Sequence, residues 1–257
     1  MNADRLHECE WPRLAAPFDQ ALRDAVRFVF SESDPVCIIA TGTVVRGKAH
    51  RNSDLDVYVV HDAPFRRRVQ RFFNDVPTEI FINPPSAIRG YFVEEHRDGR
   101  ELTAHMLVTG FVVFGSSNVV RELMSEAEIW LNLTVKMSAA DLTSARYAIA
   151  TRFEDALDVV DEDPTTATML LAGAVTAMLE FFCKSTSGRI PRGKDLLATV
   201  MKINPAVGRQ AIAFFAAPTV AERIEHATWL ADRIVGARGF FEWDSGPGPV
   251  PPSAASD

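Results

Sequence analysis

The sequence predicts an α+β fold, a mixed sheet with flanking helices followed by an all-α helical bundle, and three observations carry the prediction. Short apolar runs of strand length end at about residue 114. From about Val119 to Arg238 the chain turns Ala-rich with helical spacing, broken at Glu162-Asp163-Pro164, Ser185 to Gly193, Asn204-Pro205 and Ala217-Pro218. Strands followed by helices, rather than alternating with them, are the signature of α+β organisation. A composition of 47% hydrophobic and 24% charged residues provides the core both parts need and excludes wholesale disorder. The expected divisions are a first domain over 1–120, a helical domain over 121–243 and a disordered tail over 244–257, where Pro, Gly and Ser dominate.

The elements follow in order. Leu14, Phe18, Leu22, Val26 and Val29 recur at helical spacing, so residues 11–30 open the chain as an amphipathic helix, broken by Ser31 to Pro35. Val36 to Ala40 is a buried strand, and a Gly-containing polar loop runs from Gly42 to Ser53. Leu55, Val57 and Val59 alternate with Asp54, Asp56 and Tyr58, the period of a half-buried strand. Phe65 to Asn74 reads as a basic helix. Thr78 to Asn83 is a third strand, closed by Pro84-Pro85, with a helix following to about Glu95; Leu107 to Phe114 is a further strand, ended by Gly115.

The chemistry concentrates between Thr41 and Asp56. Asp54 and Asp56 stand two apart on a strand, so both carboxylates leave one face, their Cα atoms about 6.5 Å apart. Like charges held so close call for a cation between them. Oxygen ligands of this kind suit Mg²⁺, which also keeps waters and takes substrate phosphates. Gly42 lets backbone approach a phosphate closely, and the Thr43 hydroxyl and neighbouring N–H groups can donate to it. Glu79 on the next strand alternates with Ile80 and Ile82, and an antiparallel neighbour would bring it beside the Asp pair.

In its order of strand, Gly-Thr, loop, Asp-x-Asp and carboxylate strand, the chain resembles the nucleotidyltransferase superfamily of polymerase-beta-like fold. The longer motif of its small-substrate members matches at Gly42, Arg46, Gly47, Ala49, Ser53, Asp54 and Asp56, with Thr43 where Ser is usual. The strand Thr78 to Asn83 and the helical second half are similar to the kanamycin and streptomycin/spectinomycin branch. There, Gly188 to Asp195 resembles the segment whose lysine, here Lys194, helps hold the nucleotide. The resemblance implies that Asp54 and Asp56 hold one or two Mg²⁺ against the triphosphate of ATP or another NTP. Gly42, Thr43, Arg46, Ser53 and Lys194 are then nucleotide-binding, and Glu79 is a third metal ligand or the base. In the kanamycin enzymes the base comes from the helical domain; Glu154, on a helix from Ala145 to Val160, corresponds best. The implied reaction moves a nucleoside monophosphate to a hydroxyl on a small molecule and releases pyrophosphate, in a cleft between the two domains and, as in that branch, within a homodimer. The alternatives are a protein-AMPylating enzyme of the antitoxin type and an inert nucleotide-binding module.

Other residues have plainer readings. A net charge of −7 argues against a duplex nucleic acid as partner, which needs a basic face. The helical part is the more acidic, and Asp158, Asp161, Glu162 and Asp163 form a solvated helix end, or a lure for a cationic, aminoglycoside-like acceptor. Arg66, Arg67, Arg68 and Arg71 line a solvated helix face, with phosphate contact as the alternative. His50 and His61 are loop residues. Met169, Leu170, Leu171, Met178 and Leu179 are core, and Phe181-Phe182 and Phe240-Phe241 pack. The apolar stretch Met169 to Leu179 falls short of the roughly 20 residues a membrane span needs. Together with an N-terminus lacking an apolar signal core and three scattered cysteines (Cys9, Cys37, Cys183), this predicts a cytoplasmic protein without a membrane partner.

Overall fold

The apolar runs of the first half pair into one sheet. Strands Cys37–Thr41 (β1), Leu55–Val60 (β2), Arg67–Phe73 (β3), Val76–Asn83 (β4) and Phe111–Phe114 (β5) lie in the order β3-β4-β2-β1-β5. This is a computed structural model, and it describes residues 3–50 and 52–247. β1 is antiparallel to β2 and β5, β2 is parallel to β4, and β3 is antiparallel to β4, so the sheet is mixed.

Alternation along the strands assigns the two faces. Ile38, Ala40, Leu55, Val57, Ile80 and Ile82 form one core with the buried side of α1 (Ala16–Glu32). Cys37, Ile39, Tyr58 and Val60 form another with α3 (Pro85–Asp98), α4 (Leu102–Thr109) and α5 (Asn118–Asn132). β2 was expected half-buried, but with helices on both sides every residue of it except Asp56 is buried. Tyr58 and Val60 are core residues of the second layer, so Asp56 is the single polar break in that face.

Two elements differ from their expected form. The basic segment is not a helix but the edge strand β3. Its turn is the dipeptide Asn74-Asp75, both residues at positive φ (47° and 59°), between the paired residues Phe73 and Val76. Two left-handed residues in succession make the hairpin turn whose twist matches the strands, and Asn and Asp tolerate that region best after Gly. Val69 and Phe73 pack onto the α1-side core, while Phe72, 71% exposed, faces out. The strand expected over Leu107 to Phe114 is also shorter. Leu107 to Thr109 end α4, and only Phe111–Phe114 is strand. Gly110 makes the passage between them, because a Cβ there would lie 2.3 Å from Ile39 Cγ2 and 2.7 Å from the Met106 carbonyl oxygen.

The chain divides into two compact units, Met1–Leu133 and Thr134–Asp257, with α5 in the first. The second is a bundle of α6 (Ala139–Asp158), α7 (Pro164–Ser187), α8 (Leu196–Ile203), α9 (Pro205–Ala216) and α10 (Val220–Leu230), which runs on into a π-helical turn, Ala231–Val235. Ser138 and Asp141 close a capping box on α6; Asp163, Asn204 and Thr219 cap α7, α9 and α10. Asp163 therefore has a structural task inside the acidic run. By length and composition α7 could cross a membrane. Here it is a core helix of the bundle, with Leu171, Ala174, Val175, Met178 and Leu179 fully buried. Met169, expected in the core, is 65% exposed, and Phe240, expected to pack, is 84% exposed while Phe241 does pack. The expected disordered tail lies, from residue 248 on, outside the described residues.

Candidate active site

Register places four polar side chains in one row across the sheet. Thr41 pairs with Asp56, Asp56 with Glu79, and Glu79 with Gln70, from β1 to the edge strand β3. The row lies on the face that carries Tyr58 and Phe81 one step further along. The neighbour that brings Glu79 beside Asp56 is parallel, not antiparallel as expected, because β4 enters the sheet after β3 has reversed the chain. Asp54 immediately precedes β2, two residues from Asp56, and so belongs to the same face.

The turn after β1 is shaped around the Asp56 carboxylate. Gly42 has φ +88°, and a Cβ there would lie 2.3 Å from Asp56 Oδ2. Only glycine meets both conditions without cost. The turn continues as the single helical turn Gly42–Val45 (α2). Thr43 Oγ1 sits 3.5 Å from Ser53 Oγ, and Ser53 accepts from the His50 amide at 2.9 Å, which holds the loop's two ends together. Arg46 Nη1 donates to Thr109 Oγ1 at 3.4 Å and lies 3.3 Å from His105 Nε2, tying the loop to α4. His61, directly after β2, is a loop residue as expected; it is buried, its Nε2 2.9 Å from the Phe65 carbonyl oxygen.

The electrostatics of the row are those of crowded carboxylates. Burial, then the charges of Asp54 and Glu79, push the Asp56 carboxyl up from 3.8 to about 6, against the pull of Arg46 and Arg68. Glu79 is already engaged: Oε2 accepts from Arg68 Nη2 at 2.7 Å, and Oε1 accepts from Gln70. The Thr41 hydroxyl is fully buried and has no hydrogen-bond partner among the described residues.

These features fit a hydrated divalent cation carrying phosphate. Two like carboxylates, an orphaned buried hydroxyl and a glycine approach stripped of side chain mark a place where a further charged, oxygen-rich group belongs. Among the described residues no group of three His, Cys, Asp or Glu side chains is arranged to hold a metal ion; Asp54 and Asp56 are the carboxylates such an ion would meet, with water and phosphate oxygens as its further ligands.

The first unit thus brings together Gly42, Thr43, Ser53, Asp54, Asp56 and Glu79, with Arg46 adjoining. Glu154 and Lys194 belong to the second unit. Glu154 lies on α6 against the Gly239 backbone, where a Cβ would be 2.9 Å from its carboxylate. Lys194 lies in the short turn Gly193–Asp195, whose Asp195 is paired with Arg192 at 2.7 Å. Sequence reasoning missed Gln70, and gave Arg68 a solvated helix face or a phosphate contact; both reach Glu79 only because their segment is a strand. It also missed Thr41, legible as the last residue of an apolar run directly before Gly42.

Residues 20–95, from α1 into α3, match the nucleotidyltransferase domain family. No curated protein matches the chain. Among solved structures, a nucleotidyltransferase-like protein from Exiguobacterium sibiricum aligns over 84% of this chain and 74% of its own, with 12% sequence identity and a TM-score of 0.51. At that identity the likeness is one of fold.

Proposed function

We propose, from the match of residues 20–95 to the nucleotidyltransferase domain family, that the chain transfers a nucleoside monophosphate, AMP from ATP, to a hydroxyl on a small molecule. The observation that carries the reading is the row of Asp56 and Glu79 in register, beside a glycine that leaves the Asp56 carboxylate uncovered.

Asp54 and Asp56 would hold Mg²⁺ with the triphosphate. When bound, the ion supplies charge neutralisation at the α-phosphorus and on the departing pyrophosphate. Gly42 admits the phosphates to the backbone, and the Thr43 and Ser53 hydroxyls, 3.5 Å apart, donate to them. The acceptor oxygen forms a bond to the α-phosphorus, the bond from that phosphorus to the bridging oxygen breaks, and pyrophosphate leaves. Glu79, fixed by Arg68 and Gln70, takes the hydroxyl proton. Glu154 is the alternative base, and Lys194 a further nucleotide contact from the second unit. A cationic, aminoglycoside-like acceptor rests on the two-part layout and on the acidity of the helical half.

The test is label transfer from α-labelled ATP with Mg²⁺ to a panel of cationic and anionic hydroxyl compounds, to the protein itself and to cell protein, with Asp54→Asn as control. Label on a small molecule, lost in the variant, supports the reading. Label on a protein favours AMPylation, and ATP binding indifferent to Asp54→Asn makes the chain an inert nucleotide-binding module.

A further inference from the structure

Directly beside the carboxylate row, on the same face of the sheet, lies a cavity of about 440 Å³. That is within the size range of small-ligand sites. Its floor is the next step along β2 and β4, where Tyr58 and Phe81 stack with ring centroids 6.0 Å apart, and its opposite wall is α3 and α4, with Tyr91, Glu95 and Thr103. Arg66 and Arg68 stand at its side.

The charge inside this cavity is the reverse of the protein's net charge. Arg66 donates to Tyr91 Oη at 2.8 Å and sits over that ring. Arg68 lies 4.8 Å over the Phe81 ring while donating to Glu79, so one guanidinium joins cavity and row. Arg67 turns to Glu32 on the other side of the sheet. The one carboxylate in the lining, Glu95, has both oxygens occupied by Thr103, at 2.6 Å from its amide and 2.7 Å from its hydroxyl, and burial pushes its carboxyl up. An incoming ligand therefore meets two guanidiniums, an aromatic floor and a carboxylate turned inward. Guanidiniums in such a setting select phosphate or carboxylate groups through paired, charge-assisted hydrogen bonds.

We propose that this cavity is the acceptor subsite, and that it takes a ring-bearing acceptor carrying a phosphate or carboxylate, gripped by Arg66 and Arg68, with its hydroxyl toward Glu79. The word acceptor rests on the transfer reading above; the selection of an anion does not. Whole-surface acidity bears on long-range approach, whereas selection at contact is set by the groups lining the cavity.

The test is titration calorimetry with phenyl phosphate on the full-length protein, without metal or nucleotide and at low salt. Phenyl phosphate is expected to bind, with affinity at least tenfold weaker in Arg66→Gln, a surface variant that leaves the melting temperature unchanged. Benzylamine and phenol are expected not to bind, and saturating ATP without metal should leave phenyl phosphate binding as it was. Absence of phenyl phosphate binding, equal affinity in Arg66→Gln, or benzylamine binding as tightly overturns the inference. Displacement by ATP overturns the acceptor assignment and makes the cavity part of the nucleotide site. If phenyl phosphate binds through Arg66 while no panel compound is ever labelled, the transfer reading fails and the anion site stands.

Discussion

Replacing Asp56 with Asn should stabilise the protein in the absence of metal. The folded chain holds the Asp56 carboxyl at about 6, against 3.8 for the free side chain. Each tenfold difference in proton affinity is worth about 1.4 kcal/mol, so keeping this group ionised in the folded state costs about 2–3 kcal/mol after allowance for the water that still reaches it. The sign follows from proton counting. Between pH 3.8 and 6 the folded state binds more protons than the unfolded one, so stability falls as pH rises through that window and the penalty is complete above it. Asn is isosteric and cannot ionise. At pH 8 and in EDTA, Asp56→Asn should therefore melt about 4–12 °C above the wild type, given about 2–4 °C per kcal/mol for a chain of this size. At pH 3.5 the two should coincide. Calorimetry at both pH values, repeated with 10 mM Mg²⁺, measures this. The ion should raise the wild-type transition and leave the variant's nearly in place. Equal melting temperatures at pH 8, or a gap independent of pH, would refute the claim that crowded charge at Asp56 is an energetic cost the fold carries.

Other outcomes are equally specific. Gly42→Ala should cost about 1–2 kcal/mol for the positive φ and lower transfer about 100-fold or more by displacing the Asp56 carboxylate, measured by urea unfolding and label release. Phe73→Ala should cost about 2 kcal/mol for a half-buried ring packed on the core, whereas Phe72→Ala should stay within about 0.5 kcal/mol. A helix over these residues would not separate the neighbours this way, so similar costs in urea unfolding would argue against the edge strand. Leu171→Ala should cost about 3 kcal/mol and Met169→Ala within about 0.5 kcal/mol, a contrast that tests which side of α7 is buried.

The part of the site that was legible in the sequence is the part that is local. Gly42 to Asp56 spans one turn and the start of one strand, so residue spacing alone places both aspartates on one face. Glu79 could be assigned to a strand but not to a partner, since parallel pairing with β2 depends on where β3 goes. β3 itself was misread for a definite reason. Its core contacts, Val69 and Phe73, are four residues apart, a spacing that satisfies a strand and a helix alike, and Arg67, Arg68 and Arg71 fit a solvated helix stripe equally well. The Asn74-Asp75 pair was the only signal that breaks the tie. Tyr58 was underestimated because a helical layer built from residues 85–132 covers it, and no two-residue period near it records that.

The edge position of β3 has a consequence for how such a protein can change. Arg68 and Gln70 reach the reacting row from a strand with one neighbour and an outer side open to water. Asp56 and Thr41 sit in the middle of the sheet, where every alteration is felt on two sides. Natural variation can therefore rewrite the segment from Arg66 to Phe72 while the chemistry on β2 is left untouched. Preference for a partner molecule is in this sense a replaceable border on a fixed centre, and relatives should diverge first along that border.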